Sequence, residues 1–229
     1  SELGAPPRED STAGTPDGLE LLVRTITLKV SRLDAHGAMV DAGVHGELFV
    51  PQSQLPHELA AGDHLRVFLY VSGGRVLATA RRPYLQCGNV GLLKVNSVDY
   101  GTAYLESGLP KEIVLPRGEQ RTEPWPGDMV LVQVRLDVKG RLYATERLED
   151  HIAEASAPGE YRSGDEVRLV PVKRTDLGIK VVVDDHVFAV IYENELPPGL
   201  KWGSRADGFV LRVRPDLRLD AGFGRPGAA

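Results

Sequence analysis

Residues 100–116 read YGTAYLESGLPKEIVLP and contain two short apolar runs separated by a bend. The surrounding pattern is a strand, a glycine turn, a second strand, a short third strand and a closing hairpin. The same pattern occurs around Gly37 and again around Gly178. A repeat of about 65 residues is longer than a solenoid repeat and is the size of a small domain. The sequence therefore predicts an array of three related domains.

Each repeat has roughly five apolar or alternating runs, separated by glycine, proline, aspartate and asparagine, a pattern typical of short antiparallel strands that close into a barrel. We expect an all-β chain with little helix, in which each repeat forms its own barrel and no sheet joins two repeats. The expected limits are a disordered segment over 1–19 and barrels over 20–83, 84–157 and 158–229.

Three local features sharpen this expectation. Alternation predicts that the first strand begins at residue 21 and reaches residue 30, and Pro51 should end the third strand because proline cannot donate to a β-ladder. Residues 147–157 have apolar side chains near helical spacing, so we expect one longer connector helix there. Residues from Gly222 onward are expected to form a tail.

Composition restricts the class of protein. The net charge of -5 and the pI of about 5.7 argue against nucleic-acid binding by bulk electrostatics alone. Cys87 is the one cysteine, so the chain has no internal disulfide and suits a reducing cytoplasm. No apolar run is long enough to cross a membrane, and the polar start lacks the features of a secretory leader. We therefore expect a cytoplasmic protein without a membrane partner.

Catalytic and metal-binding patterns are weak. The six histidines are scattered without the spacing of metal ligands, and Cys87 has no second cysteine beside it. The Asp184-Asp185 pair is interpreted as a hairpin turn rather than a metal site. The Gly-Arg pairs at 74–75 and 140–141 lack the strand, lysine and helix of a phosphate loop. We expect no enzyme activity, no metal and no cofactor.

Two sets of motifs resemble known families. The first set resembles the S1-type RNA-binding domain, a five-stranded barrel of the oligonucleotide-binding (OB) class, and comprises GAMV at 37–40, LFVP at 48–51 and GD at 62–63. The second set resembles the bacterial conserved virulence factor B family, over roughly residues 20–223. It comprises YLESGLPKE at 104–112, Pro116, EQ at 119–120, TDLGIK at 175–180 and IYENE at 191–195.

The resemblance implies three tandem S1-like OB-fold barrels followed by a winged-helix domain, in bacterial proteins regarded as RNA-binding regulators. Only six residues follow Phe223 here, so we expect the winged helix to be absent. Whether the chain was shortened or this member lost the domain stays open.

Barrels of this class bind single strands by stacking bases on exposed aromatic side chains while basic groups hold the phosphates. The S1-type pattern places the useful positions beside the glycine of the second strand and near the end of the third. The resulting candidates are His36 and Met39 in the first barrel, Tyr100 and Tyr104 in the second, and Leu177, Lys180 and Tyr192 in the third. The nearby basic candidates are Lys94, Lys111, Arg117, Arg141, Arg212 and Arg214.

Only the second barrel has two aromatic candidates, so we expect it to be the main platform. The alternative for each tyrosine is half-buried packing in the barrel wall, and for each basic side chain ordinary solvation. We interpret the chain as a non-enzymatic regulator that binds single-stranded RNA, with its oligomeric state open. The alternative is a protein-interaction scaffold of degenerate barrels, which the acidic total and the weak first barrel favour.

Overall fold

The structure is a computed structural model that describes residues 25–227. The segment expected over 1–19 and the predicted strand start at 21–24 lie outside these residues. The first barrel contains β1 (Thr25–Leu33), β2 (Gly37–Asp41), β3 (Glu47–Pro51), β4 (His64–Ser72) and β5 (Arg75–Thr79). Its strands are hydrogen-bonded in the order β3-β2-β1-β4-β5, and the end strands β3 and β5 lie in contact.

The second and third sheets are closed barrels. The second contains β6 (Val90–Asp99), β7 (Thr102–Leu105), β8 (Ile113–Leu115), β9 (Met129–Leu136) and β10 (Leu142–Thr145). The third contains β11 (Glu166–Thr175), β12 (Gly178–Val183), β13 (Val187–Tyr192), β14 (Ala206–Val213) and β15 (Leu219–Gly222). In both, the fifth strand pairs in parallel with the third strand, and this pairing closes the barrel.

The predicted fold class is confirmed. Every helical segment among the described residues is a three-residue 3-10 turn, and every strand ladder joins strands of the same repeat. Each barrel has its own apolar core, because alternate residues of its strands face inward. Pro51 ends β3 as expected. We retain 20–83, 84–157 and 158–229 as proposed domain limits.

Two local expectations were wrong. The connector helix over 147–157 is reduced to a 3-10 turn at Leu148–Asp150. Backbone bonds from Ala153 go to β13 instead: its N–H donates to the His186 carbonyl, and its carbonyl accepts from the Phe188 N–H. The helical spacing of apolar residues therefore reflects burial between two barrels. The tail does not begin at Gly222, which is the last residue of β15 and pairs with Phe209.

The second and third barrels are joined by a shared apolar cluster. Its buried members come from the start of β6, the connector, and the outer faces of β11 to β13: Val90, Leu148, Ile152, Val170, Val182 and Phe188. Asp185 adds polar contacts, because its carboxylate accepts from the Val90 N–H at 2.8 Å and from Asn89 Nδ2 at 3.0 Å. The outer face of β12 and β13 is therefore partly covered by the preceding barrel.

Candidate nucleic-acid interface

One register position has the same surroundings in all three barrels. Met39, Tyr104 and Lys180 each lie on the second strand of their barrel, between two buried neighbours. Because successive strand residues point to opposite faces, these three side chains lie on the outer face. The S1-type candidates are therefore surface positions in every barrel.

In the second barrel this position belongs to a row of side chains across adjacent strands. Tyr104 on β7 pairs with Ser97 on β6 and with Val114 on β8, and Val114 pairs with Tyr143 on β10. Tyr104, Val114 and Tyr143 are all half-buried, and they alternate with core residues. We call Tyr104, Val114 and Tyr143 the tyrosine row. Tyr143 was not predicted, because the parallel β8–β10 pairing that brings it here has no local sequence signal.

Tyr100 lies at one end of β7, in the turn that joins it to β6. Tyr100 and Gly101 have φ values of 45° and 80°, as a two-residue hairpin turn of the I′ type requires. Asparagine and glycine suit such a turn, whereas a bulky residue at positive φ is strained. The Tyr100 side chain is 97% exposed. A strained turn position is therefore occupied by an aromatic residue that stands in solvent.

Arg117 lies beside the same turn. Its Cδ is 3.1 Å from the position that a Cβ on Gly101 would occupy, so the arginine stem packs on the glycine. Gln120 fixes this corner by donating from Nε2 to the carbonyls of Gly101, at 2.8 Å, and Leu115, at 3.0 Å. Arg117 itself is exposed and has no ion pair among residues 25–227. A cationic group thus stands next to the Tyr100 turn.

The first barrel has an exposed aromatic that the sequence interpretation missed. Phe49 on β3 pairs with Met39 on β2, and Met39 pairs with Arg32 on β1. The Phe49 side chain is 47% exposed, and its ring covers Gly37 so closely that a Cβ there would lie 2.8 Å from it. His36 is exposed at the end of β2. The alternation of Phe49 with core residues Leu48 and Val50 was the available signal.

In the third barrel the candidate residues mostly have partners within the chain. Lys180 Nζ is 2.7 Å from Glu154 Oε1 and 3.9 Å from the centre of the Phe188 ring. Arg214 donates to Asp220 Oδ1 from Nε at 2.8 Å and to the Tyr192 hydroxyl from Nη2 at 2.7 Å.

The Asp220 hydrogen bond raises the pKa of Arg214, which favours the charged guanidinium. Arg212 and Leu177 are exposed.

The remaining basic candidates are dispersed. Lys94 is exposed on β6. Arg141 Nε donates to Asp137 Oδ2 at 2.9 Å within its own hairpin. Lys111 Nζ donates to the Val71 carbonyl at 2.8 Å, which links the second barrel to the first. The structure therefore does not gather the predicted basic residues into one site.

The histidines, the acidic pair and the cysteine of residues 25–227 were weighed above as metal or catalytic groups. No group of three or more His, Cys, Asp or Glu side chains is placed to hold a metal ion. Asp184 and Asp185 form the predicted turn, with φ values of 48° and 65°. Burial raises the pKa of the Cys87 thiol, which disfavours a reactive thiolate. No helix in this part of the chain is long and apolar enough to span a membrane.

Comparison with known proteins gives one family match and several relatives. The S1 domain family matches residues 24–81. The uncharacterized protein YitL of Bacillus subtilis is 24% identical over 201 residues, which are 83% of this chain and 66% of that protein. Conserved virulence factor B of Staphylococcus haemolyticus is 23% identical over 173 residues, 72% of this chain and 58% of that protein. The Staphylococcus aureus USA300 protein of the same name is 30% identical over 91 residues, 38% of this chain and 30% of that protein.

One solved structure that matches is described as a multidomain protein with nucleic acid binding domains from Streptococcus pneumoniae. It is 17% identical, the match covers 90% of this chain and 74% of that one, and the TM-score is 0.48. The chain spans less than two thirds of the length of the curated relatives named above. The resemblance inferred from the motifs is confirmed: the chain is similar to the conserved virulence factor B proteins, and its first barrel matches the S1 domain family over residues 24–81.

Proposed function

We propose that this chain is a cytoplasmic RNA-binding regulator that holds single-stranded RNA on the outer faces of its first two barrels. The observation that carries the proposal is the tyrosine row of the second barrel, with Tyr100 exposed at the end of the same strand and Arg117 beside it. Exposed aromatic rings accept stacked bases of any sequence, at about 1–3 kcal/mol per base.

The first barrel supplies a second, smaller platform. Phe49 offers one exposed ring, and Met39 lies beside it. Arg32 stands on the next strand, in a long and exposed ion pair with Glu47 at 3.9 Å. The third barrel contributes less, because Lys180 and Arg214 would have to exchange a carboxylate partner for a phosphate. The resemblance to S1-type RNA-binding domains supports RNA over other polymers.

The test is a fluorescence-anisotropy titration with short unstructured RNA at two salt concentrations, with DNA of the same sequence in parallel. Stacking should survive moderate salt better than phosphate contacts do, since each neutralised charge on a single strand changes the slope of log affinity against log salt by about 0.7. We expect Tyr100→Ala with Tyr104→Ala to weaken binding by roughly 2–6 kcal/mol, two stacked bases. Unchanged affinity in a folded double variant would favour the scaffold alternative.

The regulatory part needs a separate measurement. We expect RNA crosslinked to this protein in cells of its source to be enriched in particular transcripts, whose abundance changes when the tyrosine variant replaces the wild type. Equal crosslinking to all transcripts, without changes in abundance, would leave RNA binding without regulation.

A further inference from the structure

A basic groove of about 250 Å³ lies on the first barrel, away from Phe49. It is formed by β4, the loop after β3, and the chain that leaves β5. Three arginines and one histidine line it, and none of its lining residues is acidic: the four are His64, Arg66, Arg81 and Arg82. In a chain with a net charge of -5, such a local excess of positive charge stands out.

These arginines differ from most others in the chain. Nine arginines of residues 25–227 are in ion pairs, for example Arg205 with Asp185 at 2.6 Å and Arg168 with Asp207 at 3.2 Å. Within this described part, Arg66, Arg81 and Arg82 are exposed and have no carboxylate partner. Among residues 25–227, their guanidinium groups therefore face solvent and not a carboxylate.

The backbone under the groove is held in place. Gln54 Oε1 accepts from Thr79 Oγ1 at 2.8 Å and from the Ala80 N–H at 2.9 Å, which ties the loop after β3 to the end of β5. The Arg81 N–H donates to Thr79 Oγ1 at 3.1 Å. On the other side, the Arg82 carbonyl lies against Gly108 of the second barrel. A fixed backbone lowers the entropy lost when the side chains bind a ligand.

An aromatic side chain lies next along the chain. Tyr84 is exposed, its N–H donates to the Ser107 carbonyl at 2.9 Å, and its ring rests against Gly108. On β4, His64 and Arg66 lie two residues apart on the outer face, which places their Cα atoms about 6.5 Å apart. Closely spaced arginines beside an exposed ring suit a polymer with regularly spaced phosphates and bases.

We infer that this groove binds the phosphate backbone of the RNA strand, as a contact surface separate from the tyrosine row. The inference rests on the proposed function and adds to it the surface that supplies the electrostatic part of the affinity. Arginine suits this task because its planar guanidinium can donate two parallel hydrogen bonds to a phosphate.

The experiment compares two triple variants with the same change in net charge. The groove variant is Arg66→Gln, Arg81→Gln and Arg82→Gln. The control is Arg75→Gln, Arg147→Gln and Arg162→Gln, three exposed arginines without carboxylate partners among the described residues and outside the groove. Melting curves followed by circular dichroism check that both are folded.

With an RNA of about sixteen nucleotides, the upper end of the site size of an OB fold, we expect the groove variant to reduce the slope of log affinity against log salt by about 2, and the affinity at 0.1 M salt by about 100-fold. The control should change both far less. With about four nucleotides, enough for one platform, the two variants should behave alike. Preference among RNA sequences should stay the same, because phosphate contacts do not read bases.

Equal slopes for the two variants on the longer RNA would overturn the groove while leaving the proposed function intact. A wild-type protein that bound no RNA would overturn the proposed function and the groove together. If Arg66→Gln disturbs β4, the double variant of Arg81 and Arg82, which lie beyond β5, should still reduce the slope by about 1.4.

Discussion

Tyr104 and Tyr143 lie two strands apart on the outer face of the second barrel, and Val114 pairs with both of them. Neighbouring strands are about 4.8 Å apart, so the two tyrosine backbones are about 10 Å apart. Val114, between them, is half-buried like the two tyrosines. This relationship exists only because β8 and β10 pair in parallel to close the barrel.

The tyrosine row leads us to expect a large loss of RNA affinity when both tyrosine rings are removed. Tyr104→Ala with Tyr143→Ala should weaken RNA binding by about 2–6 kcal/mol, the value of two stacked bases. The measurement is the anisotropy titration described above. The matched control is Trp202→Ala, an exposed aromatic of the third barrel, which should change affinity by less than tenfold. A similar loss of RNA affinity in the two variants would mean that RNA stacks on any exposed aromatic side chain and has no preference for the tyrosine row.

Replacing Tyr100 should have opposite effects on the stability of the second barrel and on RNA binding. Tyr100→Asn should stabilise the second barrel by about 1 kcal/mol, because asparagine tolerates positive φ better than tyrosine. The same change should weaken RNA binding through loss of an exposed ring. Thermal melting and anisotropy on one sample check both. A variant that gained stability and kept its affinity would remove Tyr100 from the interface.

In the first barrel, removing the Phe49 ring and removing the His36 ring should reduce RNA affinity by different amounts. Phe49→Ala should weaken RNA binding by about 1–3 kcal/mol, one stacked base. His36→Ala should change it little, because imidazole offers a smaller face. His36→Ala should melt near the wild-type temperature because His36 is exposed, whereas Phe49→Ala also removes the ring that covers Gly37 and should melt lower, so both titrations are run well below that melting temperature. An equal effect of the two substitutions would contradict the assignment of Phe49.

The contacts of Asp185 between the second and third barrels should contribute to the stability of the protein. Asp185→Ala removes the acceptors of the Val90 N–H and Asn89 Nδ2 and the ion pair with Arg205. The loss should lower the free energy of unfolding by about 3 kcal/mol, because a buried N–H is left without its partner. Denaturant unfolding gives the value. Asp207→Ala breaks an exposed ion pair and should cost about 0.5 kcal/mol.

His186 predicts a pH dependence of stability. Burial of its ring lowers its pKa, but hydrogen bonds to the Asp184 carbonyl and the Glu160 carboxylate raise the pKa by more. A raised pKa in the folded state stabilises the fold at pH below about 6.5, and this stabilisation is lost as pH rises through the folded pKa. The melting temperature of the wild type minus that of His186→Gln should therefore shrink from pH 5.5 to 8.5.

The control is His57→Gln on an exposed loop, which also removes a histidine but leaves the contacts of His186 intact. A difference that grew with pH for His186→Gln would mean that the ring is held neutral in the folded protein. It would contradict the ion pair with Glu160, whose Oε1 is 2.5 Å from His186 Nε2.

The sequence by itself determined the all-β class, the three repeats and the succession of strands along the chain in each, because alternation, glycine turns and proline stops act over a few residues. The S1-type pattern singled out Met39, Tyr104 and Lys180, and each of them lies between two buried strand neighbours in the structure. The local rules failed for residues 147–157. Leu148 and Ile152 are buried there because they pack between two barrels, and not because they lie on one face of a helix.

Only the tertiary structure decided which surface residues meet. Tyr143 joins Tyr104 through a parallel strand pair, and Arg66 meets Arg81 and Arg82 across the seam between β4 and the chain after β5. Tertiary contacts also gave Lys111 and Lys180 partners within the chain. Contacts between distant segments depend on barrel closure and on the packing of one barrel against the next, neither of which is encoded by the local period of the chain.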